Sequence, residues 1–508
     1  MTTTAWAARD ADEAMEPVGP HRGLLHDEPL IFEQDEPGRT GVDLPAAPAA
    51  PLRLGDLAPR GAIGLPSLSE PQVVRHFTRL SSRNYGIDSG IYPLGSCTMK
   101  HNPRLNELVA RLDGFAQVHP LQPEQTVQGA LALMDELADW LLKLTGMEAV
   151  ALSPAAGAHG ELCGMLAIRA ALDARGERRN TVLVPASAHG TNPATAAALG
   201  FGVVEIPSNE RGRVDVAALR AALGPQVAAI MLTNPSTCGL FETDIVEIAE
   251  AVHAAGAYFY GDGANFNAIV GRVRPADLGL DVMHINLHKT FSTPHGGGGP
   301  GAGPTVFAHS LAPYVPLPFV RRTEHGLRLV EHAGQAGDLR PMGRLKAYHG
   351  QFGTFVRALA YILSLGGDGL RQASADAVLN ANYVLARLSD VLTPAFPGPC
   401  MHEALFQDDS LREAGSSTLD LAKALLDEGM HPMTIYFPLV VKGAMLVEPT
   451  ESEPKAAIDE YVTVIRRLVA RLREHGPDAL HHAPRHTPRR RLDEVEAAKK
   501  PVLRWTTG

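Results

Sequence analysis

Between about residues 145 and 310, short apolar runs alternate with alanine-rich amphipathic stretches. The runs are TVLVP (181–185), GVVEIP (202–207), VAAIMLT (227–233), AYFYGDG (257–263), HINLH (284–288) and PTVFAH (304–309). Stretches such as ELCGMLAIRAALDARGE (161–177) and ETDIVEIAEAVHAAG (242–256) lie between them. Strands this apolar need both faces covered, and helices of crossover length supply the cover. The expected fold class is therefore α/β, with a mainly parallel central sheet. Such sheets bind ligands at the carboxyl ends of their strands.

The chain has 508 residues, too many for one ordinary domain. Residues 1–60, rich in Ala, Pro, Gly and charge, are expected to form a partly disordered N-terminal arm. A large α/β domain with an N-terminal lead segment is expected over 61–375, and a small C-terminal α/β domain with a tail over 376–508. A helical pattern at 354–388 links the two. The small domain carries HPMTIYFPLVVKGAMLVEPTE (431–451) and the helical PKAAIDEYVTVIRRLVARLREHG (454–476).

Lys and Arg number 46 against 56 Asp and Glu, a net charge of −10, which argues against broad nucleic-acid binding. The four cysteines (Cys97, Cys163, Cys238, Cys400) form no C-x-x-C pair, so neither a disulfide framework nor a zinc site is expected. No metal ligand is assigned; the histidine run HHAPRH (481–486) reads as a solvated tail. No run reaches the ~18 apolar residues of a membrane span, and the first residues read as neither signal nor transit peptide. A cytoplasmic location is the expectation.

The strand ends carry the chemistry. Lys289 follows HINLH. Asp262 sits in GDGANFN, His189 in ASAHGTNPAT, and ALSPAAGAHGELCG feeds a helix start near Gly157 and Ala158. An amine, an acid, an imidazole and a phosphate-sized turn thus fall on one rim, which is what pyridoxal 5'-phosphate requires. A lysine condenses with its aldehyde, and a carboxylate holds a proton on the pyridine nitrogen. A flat side chain covers the ring, and N–H groups at a helix start hold the phosphate. Each residue alone has a blander reading: a solvated lysine, a turn aspartate, a loop histidine, a tight packing turn. Their joint placement in sheet order favours the cofactor. The formal G-x-G-x-x-G at Gly296, Gly298 and Gly301 follows the lysine rather than opening a helix, so it is not a dinucleotide fingerprint.

Longer motifs sharpen this reading. NYGIDSGIYPLGSCTMKHNP (84–103), SAHGTNPATAA (187–197), DGANFNAIVG (262–271), NLHKTFSTPHGGGGPGAGP (286–304), HPMTIYFPLVV (431–441) and EPTESE (448–453) resemble glycine decarboxylase, the P-protein of the glycine cleavage system. The likeness runs from about residue 29 to the end, and the length is similar to subunit 2 of the two-subunit form. The resemblance implies the aspartate-aminotransferase-like fold, called fold type I. It implies Lys289 as the cofactor lysine, Asp262 at the pyridine nitrogen and His189 on the ring face, with a catalytic part for Lys289 and His189. The phosphate contacts map onto Gly157 and Ala158. It further implies glycine decarboxylation with aminomethyl transfer to a lipoylated H-protein, and a homologous subunit 1 in an α2β2 assembly. Cys238 and Phe266 depart from the pattern without removing a needed group.

Three readings stay open at this stage. The glycine loop 292–303 is either a gate that orders and disorders or a static segment allowing close backbone approach. Lys100 or Tyr92 is a candidate partner for a carboxylate, against a purely structural turn; nothing gives Cys97 a low-pKa setting. The rival functions are a decarboxylase or transaminase of another small amino acid and a non-catalytic assembly subunit.

Overall fold

The computed structural model describes residues 28–42, 44–45, 57, 64–295 and 301–504. Most of the arm expected over 1–60 and the centre of the glycine loop, with Gly296 and Gly298, lie outside these residues. The chain divides into two compact units. One comprises Gly90–Leu425 with Met430–His481; the other comprises Met1–Ser89, Leu426–Gly429 and His482–Gly508.

The first unit is built on a seven-stranded sheet. Its strands are β1 (Ala149–Ala151), β2 (Thr181–Pro185), β3 (Gly202–Ile206), β4 (Val227–Thr233), β5 (Tyr258–Gly263), β6 (Val282–Ile285) and β7 (Thr305–Phe307), in the order β1-β7-β6-β5-β4-β2-β3. The run β6-β5-β4-β2-β3 is parallel, whereas β7 is antiparallel to both β6 and β1. The run PTVFAH (304–309) is thus a strand, but a reversed one. GVVEIP lies at the sheet edge, where Val203 and Val204 remain exposed, so cover on both faces does not extend to β3.

Strict alternation splits the inner strands between two cores. Leu183, Ile230, Leu232, Phe259 and Ile285 pack with Leu137 and Leu141 of the Gln128–Thr145 helix and with Phe355 and Ile362 of the long helix. Val182, Val184, Met231, Tyr258, Tyr260 and Val282 pack on the other face with Met165, Ile168 and Leu172 of the Gly157–Ala174 helix. Side chains at i, i+2 and i+4 share a face, so Asp262 and His284 follow Tyr260 and Val282 toward the Gly157–Ala174 helix.

That helix approaches the sheet through glycines. A Cβ on Gly160 would lie 2.6 Å from the Cβ of His284, and one on Gly164 2.5 Å from the Tyr260 ring. The spacing 157, 160, 164 puts a smooth stripe against β5 and β6. The backbone is thereby drawn down onto the strands that bear Asp262 and His284.

The helical pattern expected at 354–388 is the helix Phe352–Leu388, interrupted at Gly366. Before that helix, β8 (Phe319–Thr323) and β9 (Gly326–Val330) form a separate ribbon; after it, β10 (Thr393–Pro394), β11 (Ala404–Gln407), β12 (Thr434–Ile435) and β13 (Met445–Val447) form a four-stranded antiparallel sheet in the order β10-β11-β13-β12. The Lys455–His475 helix buries Ile458, Tyr461, Ile465, Leu468 and Leu472 on one side. The PLGSCT segment hooks onto β13: Leu94 bridges Val447, and Gly95 N–H donates to Leu446 O at 3.2 Å.

In the second unit, the helix Glu70–Ser81 carries His76 and Arg79, which both bind Glu28. Arg79 Nη2 and His76 Nδ1 lie 2.7 and 2.9 Å from Glu28 Oε1. The hydrogen bond from Arg79 is the main reason the Glu28 carboxyl sits at about 2, with burial opposing it. Asp427 accepts the N–H groups of Arg485 and His486 at 2.7 and 2.8 Å.

Candidate active site

Asp262 ends β5 and is buried. Its register partner on β6 is His284. Tyr260 hydroxyl lies 2.6 Å from His284 Nδ1, which leaves Nε2–H facing Asp262 Oδ1 at 3.3 Å. Asn192 Nδ2 donates to Asp262 Oδ2 at 3.0 Å, and Ala264 N–H donates to Oδ1 at 2.9 Å. Burial works against the Asp262 charge. His284, the two hydrogen bonds and the field of Lys289 outweigh it and hold the carboxyl below its usual value. Burial keeps His284 low, in agreement with a neutral ring that accepts from Tyr260 and donates to Asp262.

Beneath this pair lies Glu161, which accepts from Thr195 Oγ1 at 3.2 Å. Burial, then the Asp262 charge, raises its pKa to about 8. Two carboxyls share one buried pocket, and their environments push them apart: Asp262 ionised, Glu161 protonated. The ligand-type atoms of Glu161, Asp262 and His284 lie within 4.8 Å of one another, as do those of His402, Glu403 and Glu448.

Lys289 stands on a single helical turn, Leu287–Thr290, that follows β6 after Asn286. The strand therefore stops earlier than the run HINLH suggests, and the turn aims the lysine. Its Nζ donates to Ser96 O at 2.8 Å. His189, in the loop after β2, is exposed and accepts from Thr191 N–H at 3.2 Å; its ring lies 5.4 Å from that of Phe437. Partial burial lowers its pKa, Asp262 pulls it up and Lys289 pushes it down again. The Lys289 charge thus reaches Asp262, His284, Glu161 and His189 alike.

Gly157 and Ala158 open the 18-residue helix Gly157–Ala174. A Cβ on Gly157 would sit 2.8 Å from Asn286 Nδ2, so a larger residue there would displace the Asn286 side chain at the end of β6. Asn286 Oδ1 and Asn192 Oδ1 are buried without a hydrogen-bond partner.

Lys100 is consumed inside the protein. Its buried Nζ donates to Glu451 Oε1 (2.6 Å), Asn267 Oδ1 (2.8 Å) and Thr290 O (2.8 Å), with the Tyr361 hydroxyl at 3.2 Å. It thereby braces the residue after Lys289. Tyr92 stacks on His431 with ring centroids 3.9 Å apart. Burial raises the Cys97 thiol above its normal range.

Reading strand ends alone passed over His284, Asn192, Glu161 and Ser96. The signal for His284 was present: it lies on the same alternating face as Val282. Nothing local marks Ser96, which meets Lys289 across 193 residues.

Comparison with known proteins places this geometry. Residues 373–484 match the family model for the glycine dehydrogenase C-terminal domain, and residues 163–298 match aminotransferase class-V. A protein of Caulobacter vibrioides, named probable glycine dehydrogenase (decarboxylating) subunit 2, is 62% identical over 98% of this chain and 96% of its own length. One of the same name from Desulforamulus reducens is 52% identical over 94% of this chain and 99% of its own. Among solved structures, glycine decarboxylase (P-protein) of the glycine cleavage system has a TM-score of 0.69 at 22% identity, covering 82% of this chain and 93% of that one. A glutamate decarboxylase of Lactobacillus brevis has a TM-score of 0.62 at 14% identity, covering 85% and 96%. These two likenesses speak for a common fold, that of pyridoxal-phosphate enzymes of fold type I. Among the described residues no helix is long and apolar enough to cross a membrane. Identity at this level along nearly the whole chain is decisive: the chain belongs to the glycine dehydrogenase (decarboxylating) subunit 2 family.

Proposed function

We propose that this chain is the pyridoxal-phosphate-carrying subunit of glycine dehydrogenase (decarboxylating), which releases CO2 from glycine and passes the aminomethyl group to the lipoyl arm of the H-protein. The observation that carries the reading is the meeting of Lys289, Asp262 and the Gly157 helix start at one end of β5 and β6, in a chain 62% identical to a protein of that name. The residues fit the cofactor. They offer a primary amine, an ionised acid on a neutral imidazole, a helix start that glycine brings close to Asn286, and buried amide oxygens without partners.

Pyridoxal phosphate, when bound, supplies an electron sink for the pair left by the departing carboxylate. The chain supplies the rest. Lys289 would hold the cofactor's aldehyde, and its amine is placed to carry a proton to or from the substrate carbon. Asp262 holds a proton on the pyridine nitrogen, and His284, Asn192 and Ala264 N–H keep that carboxylate charged and aimed. His189 covers the ring face and assists proton transfer. The N–H groups of Gly157 and Ala158 bind the phosphate with the helix dipole.

The subunit 2 names of the relatives imply a subunit 1. We take the assembly to be an α2β2 heterotetramer in the cytoplasm, with a large cofactor-binding domain over 61–375 and a smaller domain over 376–508. Retention of Lys289 and Asp262 in this setting argues against a non-catalytic role.

The test is exchange of labelled bicarbonate into the carboxyl group of glycine. It uses the purified chain with pyridoxal phosphate, subunit 1 and lipoylated H-protein. Exchange that is lost in Lys289→Ala supports the reading. A cofactor-loaded complete mixture without exchange overturns it.

A further inference from the structure

The loop Gly95–Thr98 that holds Lys289 is itself gripped by two buried carboxylates. Glu403 Oε2 accepts Ser96 N–H at 2.7 Å, and Glu448 Oε2 accepts Thr98 N–H at 3.1 Å. Both side chains are fully buried. The grip matches a demanding backbone, because Ser96 and Thr98 both have positive φ, 67° and 41°, without being glycine. The other oxygens, Glu403 Oε1 and Glu448 Oε1, are buried without a hydrogen-bond partner, and the two carboxylates approach within 4.8 Å. His402, also fully buried with both ring nitrogens unpartnered, brings Nε2 to 4.0 and 3.9 Å from them.

Two like charges this close and this dry do not both persist unless a cation faces them. Among the described residues, the lysine acting on both is Lys289; the charge of Glu448 acts on Glu403, and that of Glu451 acts on Glu448. The titratable groups that feel the pair are Cys97, Cys238 and Cys400; those that feel Lys289 include Cys97, His402, His288 and His295, besides Asp262, His284, Glu161 and His189 on the cofactor side. Burial keeps the three cysteines and the His402, His288 and His295 rings uncharged, so none of these can stand in for the lysine.

We propose that Glu403 and Glu448 are positioning residues for Lys289: they fix the loop whose Ser96 carbonyl receives its Nζ, and the negative charge they carry between them favours the protonated form of that nitrogen. The coupling is mutual: the Lys289 cation favours the ionised pair, and without it the pair binds a further proton. Burial raises both carboxyls, Glu448 to about 7, and the Glu448 charge adds to the rise at Glu403. The inference rests on Lys289 being the cofactor-linked amine.

The test uses the cofactor-loaded protein with Glu448→Gln and Glu403→Gln. Glutamine keeps an acceptor for the loop N–H and removes the charge. The pH midpoint at which the Lys289 nitrogen deprotonates, read from cofactor absorbance, should fall by at least about one unit, since fewer negative charges then favour the ammonium. Midpoints unchanged in both variants overturn the proposal. If neither variant loads cofactor, infrared spectra of the parent and Lys289→Ala with labelled glutamate decide. A protonated glutamic acid band that is stronger in Lys289→Ala than in the parent at the same pH supports the pair; equal bands overturn it. An absorbance transition that survives in Lys289→Ala would instead overturn the assignment of Lys289.

Discussion

Asp262 and His284 are register partners on adjacent parallel strands, and the imidazole approaches the carboxylate to 3.3 Å from directly alongside. The pairing costs no loop and no flexible side chain. Both groups inherit their orientation from the sheet, and Tyr260, two residues before Asp262 on the same face, fixes the imidazole from its far side. The acid is thus held charged in a dry place by neighbours that are rigid before any ligand arrives.

Asp262→Asn should therefore leave the fold intact and reduce bicarbonate exchange about 100-fold or more. Asparagine fills the same space and keeps a contact to Asn192, so the thermal midpoint should move little. Exchange within a factor of two of the parent would remove Asp262 from the mechanism.

Glu161 gives a pH signature. Its folded pKa, about 8, lies above the ordinary 4.5, so the folded state binds a proton that the unfolded chain has released between these values. The sign is destabilising: stability attributable to this group falls as pH rises from 4.5 toward 8. Glu161→Gln removes the penalty. The variant should gain stability over the parent at pH 8–9 and show little difference near pH 4.5, as measured by urea denaturation across that range.

Lys100→Met should destabilise by about 3–5 kcal/mol, because Glu451 is then left as an uncompensated buried charge. Adding Glu451→Gln should recover a large part of the loss. Urea midpoints of the single and double variants measure this directly. Additive losses would show that the pair does not act as one unit.

Gly95→Ala should also destabilise, by about 1–3 kcal/mol. Its new Cβ would fall 2.2 Å from Cγ of Leu446, which is fully buried in β13. Since Gly95 adjoins the Ser96 carbonyl that receives Lys289, cofactor affinity should weaken as well. Titration of the apoprotein with pyridoxal phosphate checks it.

The sequence was most informative where burial is symmetric. TVLVP and VAAIMLT coincide with β2 and β4 because apolar side chains are required on both faces along their length. Direction was not legible. An apolar run such as PTVFAH looks alike in either sense, and only the sheet reveals β7 as reversed. Strand ends pointed to Lys289 and Asp262, since a charged residue after an apolar run is conspicuous. The residues that support them were hidden for two different reasons. His284 lies inside a strand and reads as part of it. Ser96 and Glu403 are 307 positions apart and become neighbours only through the fold.

The stripe of strand residues that carries Asp262 and His284 has an implication for how this chain can change. A single residue inserted or lost within Tyr258–Asp262 would rotate every following side chain to the opposite face. Asp262 would then enter the hydrocarbon core of Leu232 and Phe259, and an apolar group would take its place at the site. Length variation in such a chain is thus confined to connections away from β5 and β6, whose residue count works as an index as strict as a reading frame.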